Sequence, residues 1–512
     1  KTMNPSAGGA RQTASLGANS FAGGVLWTLL GQVAPLAAAL LGIPALIRGL
    51  GVERFGILTL IWVVISYSSL LDLGLGRSLT KLVAERAGER DDRATVRLVR
   101  TALAMLLVLG VAGGAGVVVA SSWLVREVMA VSPGLQGEAV SSLRVLALSI
   151  PAILVSAGLK GVIEARGRFD LVNAVRAPMG LFNVVGPLVS LHFTNSLVAA
   201  VAVLVVGRAV SCLCFGGISV AVMPALRERL ALDRAAAGPL LRLGGWMTVS
   251  NVVAPFMTYV DRFMIGAVAS MSVVAFYTSP YEITSRVWLI PASLATVLFP
   301  LFSRLVASDR SAAAAAFRRG VKYLFLSMFP VALVIVALAR EGLGIWLGSE
   351  FAQRSTPVLQ CLGVGIFLSS FAYVALVLVQ GAGRPDLAAK LQLLELPVYL
   401  VGLRFLIGAY GIIGAALAWL ARNLVESAVL LGQARRLVPE IGPTLWRLGG
   451  AAGGATTALI VAMLLPTLAA RIAFVTAASG VFAVGAWFLA LSPAERDRLK
   501  RPLQAGVARL SP

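Results

Sequence analysis

Long apolar runs follow one another along almost the whole chain, each closed by a short polar stretch. A helix needs about 20 apolar residues to cross the hydrocarbon layer of a bilayer. That measure predicts spans at 19–47, 55–76, 98–120, 142–163, 174–193, 197–222, 243–266, 273–302, 321–340, 356–379, 390–408, 411–432, 446–466 and 472–491. The pattern therefore predicts an all-α polytopic membrane protein of about fourteen transmembrane helices. Two runs exceed a single crossing and contain prolines, Pro35 and Pro44 in the first, Pro280 and Pro291 in the eighth. Proline removes a backbone donor, so kinks or tilt are expected in both.

Composition supports the same class. Hydrophobic residues make up 58% of the chain and charged residues 13%, and the mean hydropathy is +0.88. A soluble domain is closer to a quarter charged. The net charge of +21 would suggest nucleic acid in a soluble protein. Here the basic residues collect in alternate loops: Arg77 to Arg97, Arg166 and Arg168, Arg227 to Arg234, Arg304 to Arg319, Arg384, Arg435 and Arg436, and Arg496 to Arg501. The intervening loops hold only scattered bases such as Arg54, Arg126 and Arg354. The positive-inside rule then expects cytoplasmic tails at 1–18 and 492–512, a cytoplasmic linker at 223–242, and a multi-pass protein of the bacterial inner membrane. Nucleic acid is not an expected partner.

Other chemistry is sparse. Cys212, Cys214 and Cys361 lie inside apolar stretches without metal-ligand spacing, and His192 is the only histidine. Neither a metal site nor a His-based triad is expected. There is no Walker-A pattern, so ATP does not drive the chain directly. The longest exposed segments run to about 20 residues, small for a membrane-embedded glycan polymerase or glycosyltransferase, the enzyme alternative. The run Asn19–Ile47 is too long for a signal-peptide core and is expected to be retained as a span.

The chain also repeats itself at an offset of roughly 214–220 residues. Gly167-Arg168-Phe169-Asp170-Leu171 returns as Gly383-Arg384-Pro385-Asp386-Leu387, Thr28 and Ala34-Pro35 as Thr248 and Ala254-Pro255, and Arg208 as Arg422. An even number of spans per unit makes the repeats parallel, a transporter pattern. The expected organisation is an N-lobe at 19–222, a C-lobe at 243–432, and two further helices within 446–491. In the last pair, Gly449-x-x-x-Gly453 and Gly450-x-x-x-Gly454 suggest close helix packing.

The stretch Trp27–Glu85, with Gly49-Leu50-Gly51-Val52-Glu53-Arg54-Phe55-Gly56 and Leu71-Asp72-Leu73-Gly74-Leu75-Gly76, resembles the bacterial polysaccharide and O-antigen flippases. So does 244–305, with Asp261-Arg262, Tyr277 and Leu298-Phe299-Pro300. These belong to the multidrug/oligosaccharidyl-lipid/polysaccharide superfamily. The resemblance implies two six-helix lobes around a cavity that opens alternately to either side. It further implies translocation of a polyprenyl-pyrophosphate-linked oligosaccharide to the periplasmic leaflet, among membrane lipids. Polysaccharide polymerase and chain-length machinery are candidate partners, and no cofactor is implied beyond coupling to H⁺, Na⁺ or the membrane potential. Lipid II flippases carry basic residues in the first span and proton-coupled drug exporters often carry an acid there. The run 19–47 has neither, which places both behind the polysaccharide branch.

Ionisable residues inside spans are the candidate site, because leaving them in lipid costs several kcal/mol. They are Asp72, Lys160, Glu164, Arg208, Asp261, Arg262, Glu282, Arg286, Glu395, Arg422 and Glu426. Arginine suits pyrophosphate through its bidentate fork. Arg286, Arg262, Arg208, Arg422 and Lys160 are therefore candidates for the anion. Asp72, Asp261, Glu282 and Glu426 are candidates for charge balance or ion coupling. The bland reading is that Lys160–Glu164, Glu282–Arg286 and Arg422–Glu426 neutralise each other at i,i+4, that Arg208 and Arg422 brace neighbouring helices, and that Asp72 caps a helix.

Overall fold

The computed structural model describes residues 38–68, 72, 74–85, 92–228, 238, 256–490 and 496. The N-terminal tail, Pro35, most of the 223–242 linker, the first half of the seventh span and nearly all of the C-terminal tail lie outside these residues. Among the described residues the chain is helical and contains no strand. Nine helical runs among the described residues are long and apolar enough to cross a membrane. One of them, Pro385–Leu437, covers two expected spans. Of the remaining expected spans, 55–76 and 174–193 coincide with α-helices at Val52–Ser68 and Phe169–Ser190, and 19–47 and 243–266 lie partly outside the described residues.

Two compact units are present, 1–275 and 276–512. The first holds α1 (Ala38–Leu50), α2 (Val52–Ser68), α3 (Leu75–Glu85), α4 (Asp92–Trp123), α5 (Pro133–Ala147), α6 (Ile150–Ala165), α7 (Phe169–Ser190), α8 (Leu197–Val222) and α9 (256–268). Its interior is aliphatic: Leu75, Leu79, Val96, Val99, Leu106, Ile150 and Leu154 are all at most 1% exposed. Helix α4 approaches α5 and α6 through Gly110 and Gly114, where an added Cβ would lie 2.5 Å from Pro151 Cα and 2.9 Å from Ala147 O. Small residues four apart permit this approach in a bilayer, where packing rather than the hydrophobic effect holds helices together. The α5–α6 break at Leu148–Ser149 follows from Pro151, which has no N–H for the preceding turn.

The second unit is built on α14 (Ser349–Gly381), whose buried side chains extend along its whole length. Around it pack α11 (Leu289–Ser308), α12 (Arg310–Ala337), α13 (Ala339–Leu347), α15 (Pro385–Leu437) and α16 (Gly442–Leu464), while α17 (Leu468–Gly485) packs on α12. α10 (Met271–Val287) crosses the boundary between the units and is tied to α14 by Ser355 Oγ, which donates to Phe276 O at 2.7 Å. α10 passes through Pro280 without interruption, and the break expected in this run falls at Trp288, ahead of Pro291. Phe325, Phe329, Phe367 and Phe371 form an aromatic cluster that receives Phe482 of α17.

The internal repeat is visible in local geometry. Gly167 and Gly383 adopt φ values of 73° and 74°, the left-handed corner that glycine tolerates best. The next backbone N–H returns to the preceding helix in both units, Arg168 N to Ile163 O at 3.2 Å and Arg384 N to Val379 O at 3.1 Å. In each corner the arginine Nε donates at 3.0 Å to the aspartate two residues on, Asp170 or Asp386. Both corners precede the apolar part of the following helix. Arg384 and Lys390 hold the Asp386 carboxyl down at about 2, so its pairs stay charged at ordinary pH and fade only as pH falls from the unfolded carboxylate range towards 2. After each corner comes an antiparallel helix pair, α7–α8 in one unit and the two legs of α15 in the other. The α15 legs reverse at Gly411, with φ 59° and ψ −136°.

One packing expectation fails. Nothing lies within 4 Å of a Cβ built on Gly449, Gly450, Gly453 or Gly454. α16 turns its other face inward, burying Leu448, Ala452, Ala455 and Leu459, because aliphatic side chains fill the contact that the glycines would leave thin. The last two helices are held instead by Arg471, whose Nη1 lies 3.0 and 3.3 Å from the two Glu341 oxygens while Nε donates to Leu465 O at 2.8 Å. Arg471 is 8% exposed. Removing one member of a buried pair strands the other charge. Glu341→Ala should therefore cost on the order of 2–3 kcal/mol, discounted from a fully buried pair because Glu341 is partly solvated. Thermal unfolding in detergent checks this, and Glu341→Leu combined with Arg471→Met should lose less than Glu341→Ala alone.

Candidate functional site

In the first unit, Arg208 of α8 reaches α7 and donates from Nη2 to Asn183 Oδ1 at 2.9 Å. Its Nε is buried without a hydrogen bond. Asp72 Oδ1 accepts from Gly74 N at 2.8 Å immediately before α3, the contact a capping carboxylate makes. Asp261 and Arg262, on α9, are 0% and 3% exposed. Asp261 Oδ1 accepts from Arg262 N at 2.7 Å, and the Arg262 guanidinium lies 4.9 Å from the centre of the Tyr259 ring. Helix α9 groups with the first compact unit. The expected Lys160–Glu164 pair is not made: both residues are half-buried and no ion pair joins them among the described residues. Lysine ahead of glutamate is the weaker of the two orders along a helix.

In the second unit, Glu282 and Arg286 do pair, with Arg286 Nη2 3.2 Å from Glu282 Oε2. Arg286 sits at the end of α10, next to the break at Trp288, and its side chain remains 41% exposed. The second pair, Arg422–Glu426, closes at 3.0 Å with side chains 14% and 17% exposed. The Arg422 guanidinium also lies 5.5 Å from the centre of the Tyr399 ring on the facing leg. One turn from Tyr399 is Glu395, 8% exposed, with neither carboxylate oxygen hydrogen-bonded.

The two arginines occupy matching places. Arg208 meets Asn183 where Arg422 meets Tyr399, and each pair links the two helices that follow a Gly-Arg-x-Asp corner. Their neighbours differ. Where Arg422 has Glu395 and Glu426, the corresponding places in the first unit hold Met179 and Cys212.

Some functional geometry escaped the sequence reading. Glu138 accepts from Arg54 Nε at 2.8 Å, from Leu197 N at 2.6 Å and from Ser196 Oγ at 3.3 Å, so one carboxylate of α5 caps α8 and pairs with α2. Glu53 likewise accepts from Ser132 N and Oγ at 2.8 and 2.7 Å. Both glutamates lie among residues taken as loop, and their partners are 58 or more positions away in sequence. An open groove of about 740 Å³ on the first leg of α15 is lined by Leu400, Val401, Arg404, Phe405, Gly408 and Ala409, none of them a candidate from sequence.

Paired charges at depth on repeated helical hairpins define a polytopic membrane transporter fold. Solved structures agree. A multidrug resistance transporter of the MATE family, in the inward-facing conformation, superposes with a TM-score of 0.70 at 18% identity, covering 81% of this chain and 99% of its own. The lipid II flippase MurJ, inward closed, gives a TM-score of 0.67 at 14% identity, covering 90% and 97%. The chain belongs to the polysaccharide biosynthesis protein family, whose model matches residues 21–306. A Shigella flexneri relative named "Putative O-antigen transporter" is 27% identical over 414 residues, 79% of this chain and 95% of that protein.

The unequal surroundings of the two arginines generate a stability difference. Arg208→Gln removes a charge that meets one neutral partner and should cost about 1 kcal/mol. Arg422→Gln removes the cation beside the acidic pair Glu426 and Glu395 and should lower the melting temperature several times further. Equal losses in paired thermal scans would contradict this assignment.

Proposed function

We propose that this chain is a flippase for a polyprenyl-pyrophosphate-linked oligosaccharide, moving it from the cytoplasmic to the periplasmic leaflet by alternating access. The glycan feeds cell-surface polysaccharide assembly, where a polymerase and chain-length machinery would consume it. The membrane is the bacterial inner membrane, with both termini cytoplasmic, as the loop charges favour. The family match and the O-antigen transporter relative support this class of cargo.

The observation that carries the reading is Arg286. It lies fifteen residues beyond Met271, roughly 20 Å along the run at 1.5 Å per residue, and keeps 41% of its side chain exposed. An arginine exposed to lipid at that depth is strongly disfavoured, whereas one facing a wet path is not. Glu282 occupies one nitrogen of the fork and leaves the rest available to phosphate oxygens. In this scheme Glu282 holds Arg286 when the path is empty, and the pyrophosphate displaces it during passage. Arg262, Arg208, Arg422 and Lys160 are further positive groups for the anion. Asp72, Asp261 and Glu426 balance charge.

Complementation of the chromosomal deletion tests the scheme. Arg286→Ala should abolish surface polysaccharide while membrane insertion stays normal. Arg286→Lys should retain part of the activity, since charge survives without the bidentate fork. Glu282→Gln should slow export without abolishing it. Full export by the Glu282→Gln/Arg286→Gln double variant would remove the pair from the cargo path.

A further inference from the structure

The α15 hairpin places two carboxylates beside one guanidinium. Its legs run antiparallel, so the contact between Arg422 and Tyr399 fixes the register of the next turn: Glu395 on the first leg falls opposite Glu426 on the second. Glu426 holds Arg422 at 3.0 Å. Glu395 is 8% exposed and makes no hydrogen bond with either oxygen, while Arg422 keeps Nε and Nη1 buried and unbonded. Glu395 and Arg422 act on each other electrostatically without being hydrogen-bonded. Among the described residues, the titratable groups of the elements packed on this hairpin are Glu440, just after its second leg, and those of α14. α14 carries Glu350 and Arg354 in its first turns, and its other titratable groups are Cys361 and Tyr373, the latter meeting Trp288 edge-on. The remaining charges of α15 lie elsewhere along the legs, at Asp386, Lys390, Arg404, Arg435 and Arg436.

The geometry points to a single-proton site: Glu395 and Glu426 compete for Arg422, and the carboxyl that is not paired carries a proton. Two ionised carboxylates around one guanidinium would leave a net negative charge in a low-dielectric interior, and one added proton makes the cluster neutral. A metal cation satisfies the same charge count, but the Arg422 guanidinium on Glu426 would repel it. The proton adds to one Oε of Glu395 and leaves from the same atom. Exchange of Arg422 from Glu426 to Glu395 would pass the proton from Glu395 to the newly unpaired Glu426, which gives the hairpin two electrostatic states of equal charge. The corresponding pair in the first unit, Arg208 with Asn183, has Met179 and Cys212 in these places and cannot do this. The proposal rests on the membrane-transporter reading and not on the identity of the cargo.

Infrared difference spectroscopy of the full chain in lipid nanodiscs, titrated with pH, follows the carbonyl stretch of protonated carboxyls without any glycan. The wild type should show a carboxylic-acid band at mildly acidic pH that disappears as pH rises. Glu395→Gln should remove that band, and Glu164→Gln should leave it. Glu426→Gln frees Arg422 to pair with Glu395 and should move the loss of the band to lower pH by about one unit, a tenfold change in proton affinity. It also serves as the informative variant if Glu395→Gln does not fold. A band that persists in Glu395→Gln, a midpoint unmoved in Glu426→Gln, or a band abolished by added Na⁺ at constant pH would overturn the proposal. Loss of cargo transport with the band intact would fault the function assigned above and not this site.

Discussion

A charge held inside a bilayer has to be matched by the protein, because lipid offers no solvation, and this constraint organises both units. It explains why Arg208, Arg422 and Arg471 lie on helices that pair closely with a neighbour. Arg208 and Arg422 each sit in an antiparallel pair stiffened by a Gly-Arg-x-Asp corner. Arg471 is matched by Glu341 and a backbone carbonyl at once. Arg286 differs, since among the described residues its ion-pair partner is one turn away on its own helix and much of its side chain is exposed. That difference separates the bracing arginines from the one proposed to meet the cargo.

The repeat supplies symmetry, and sequence divergence breaks it where chemistry is needed. The corners at Gly167 and Gly383 superimpose in dihedral angle and in hydrogen bonding, as they must to turn the chain without strain. The hairpins beyond them share an arginine and little else. One is poor in acid and leaves a positive charge facing a neutral amide. The other is rich in acid and pairs its arginine with Glu426, with Glu395 on the facing leg. A transporter that moves an anion against fixed charges needs both a place to attract it and a place where the balance can shift.

Much of this was legible in the chain. The spacing of apolar runs located the helices, since backbone hydrogen bonding in lipid leaves little alternative to helix. The i,i+4 pairs Glu282–Arg286 and Arg422–Glu426 were readable because a helix fixes which residues share a face, and both form. Lys160–Glu164 shows the limit of that rule, as spacing permits a pair without compelling it. The glycine stripe at Gly449 to Gly454 matched a packing motif but lies on the open face of α16, while Gly110 and Gly114 make the close contact. Asn183, Tyr399 and Glu138 carried no local signal. Their roles depend on register across a turn or on ends of helices brought together by the fold.

The central claim is that the chain moves a lipid-linked anionic glycan between leaflets. The most direct measurement is the sidedness of lipid-linked oligosaccharide in membrane vesicles from a deletion strain, read with a membrane-impermeant glycosidase. Accumulation on the cytoplasmic face, relieved by the wild-type gene, is the result this account predicts. An undiminished periplasmic pool of the same glycan in the deletion strain would contradict it.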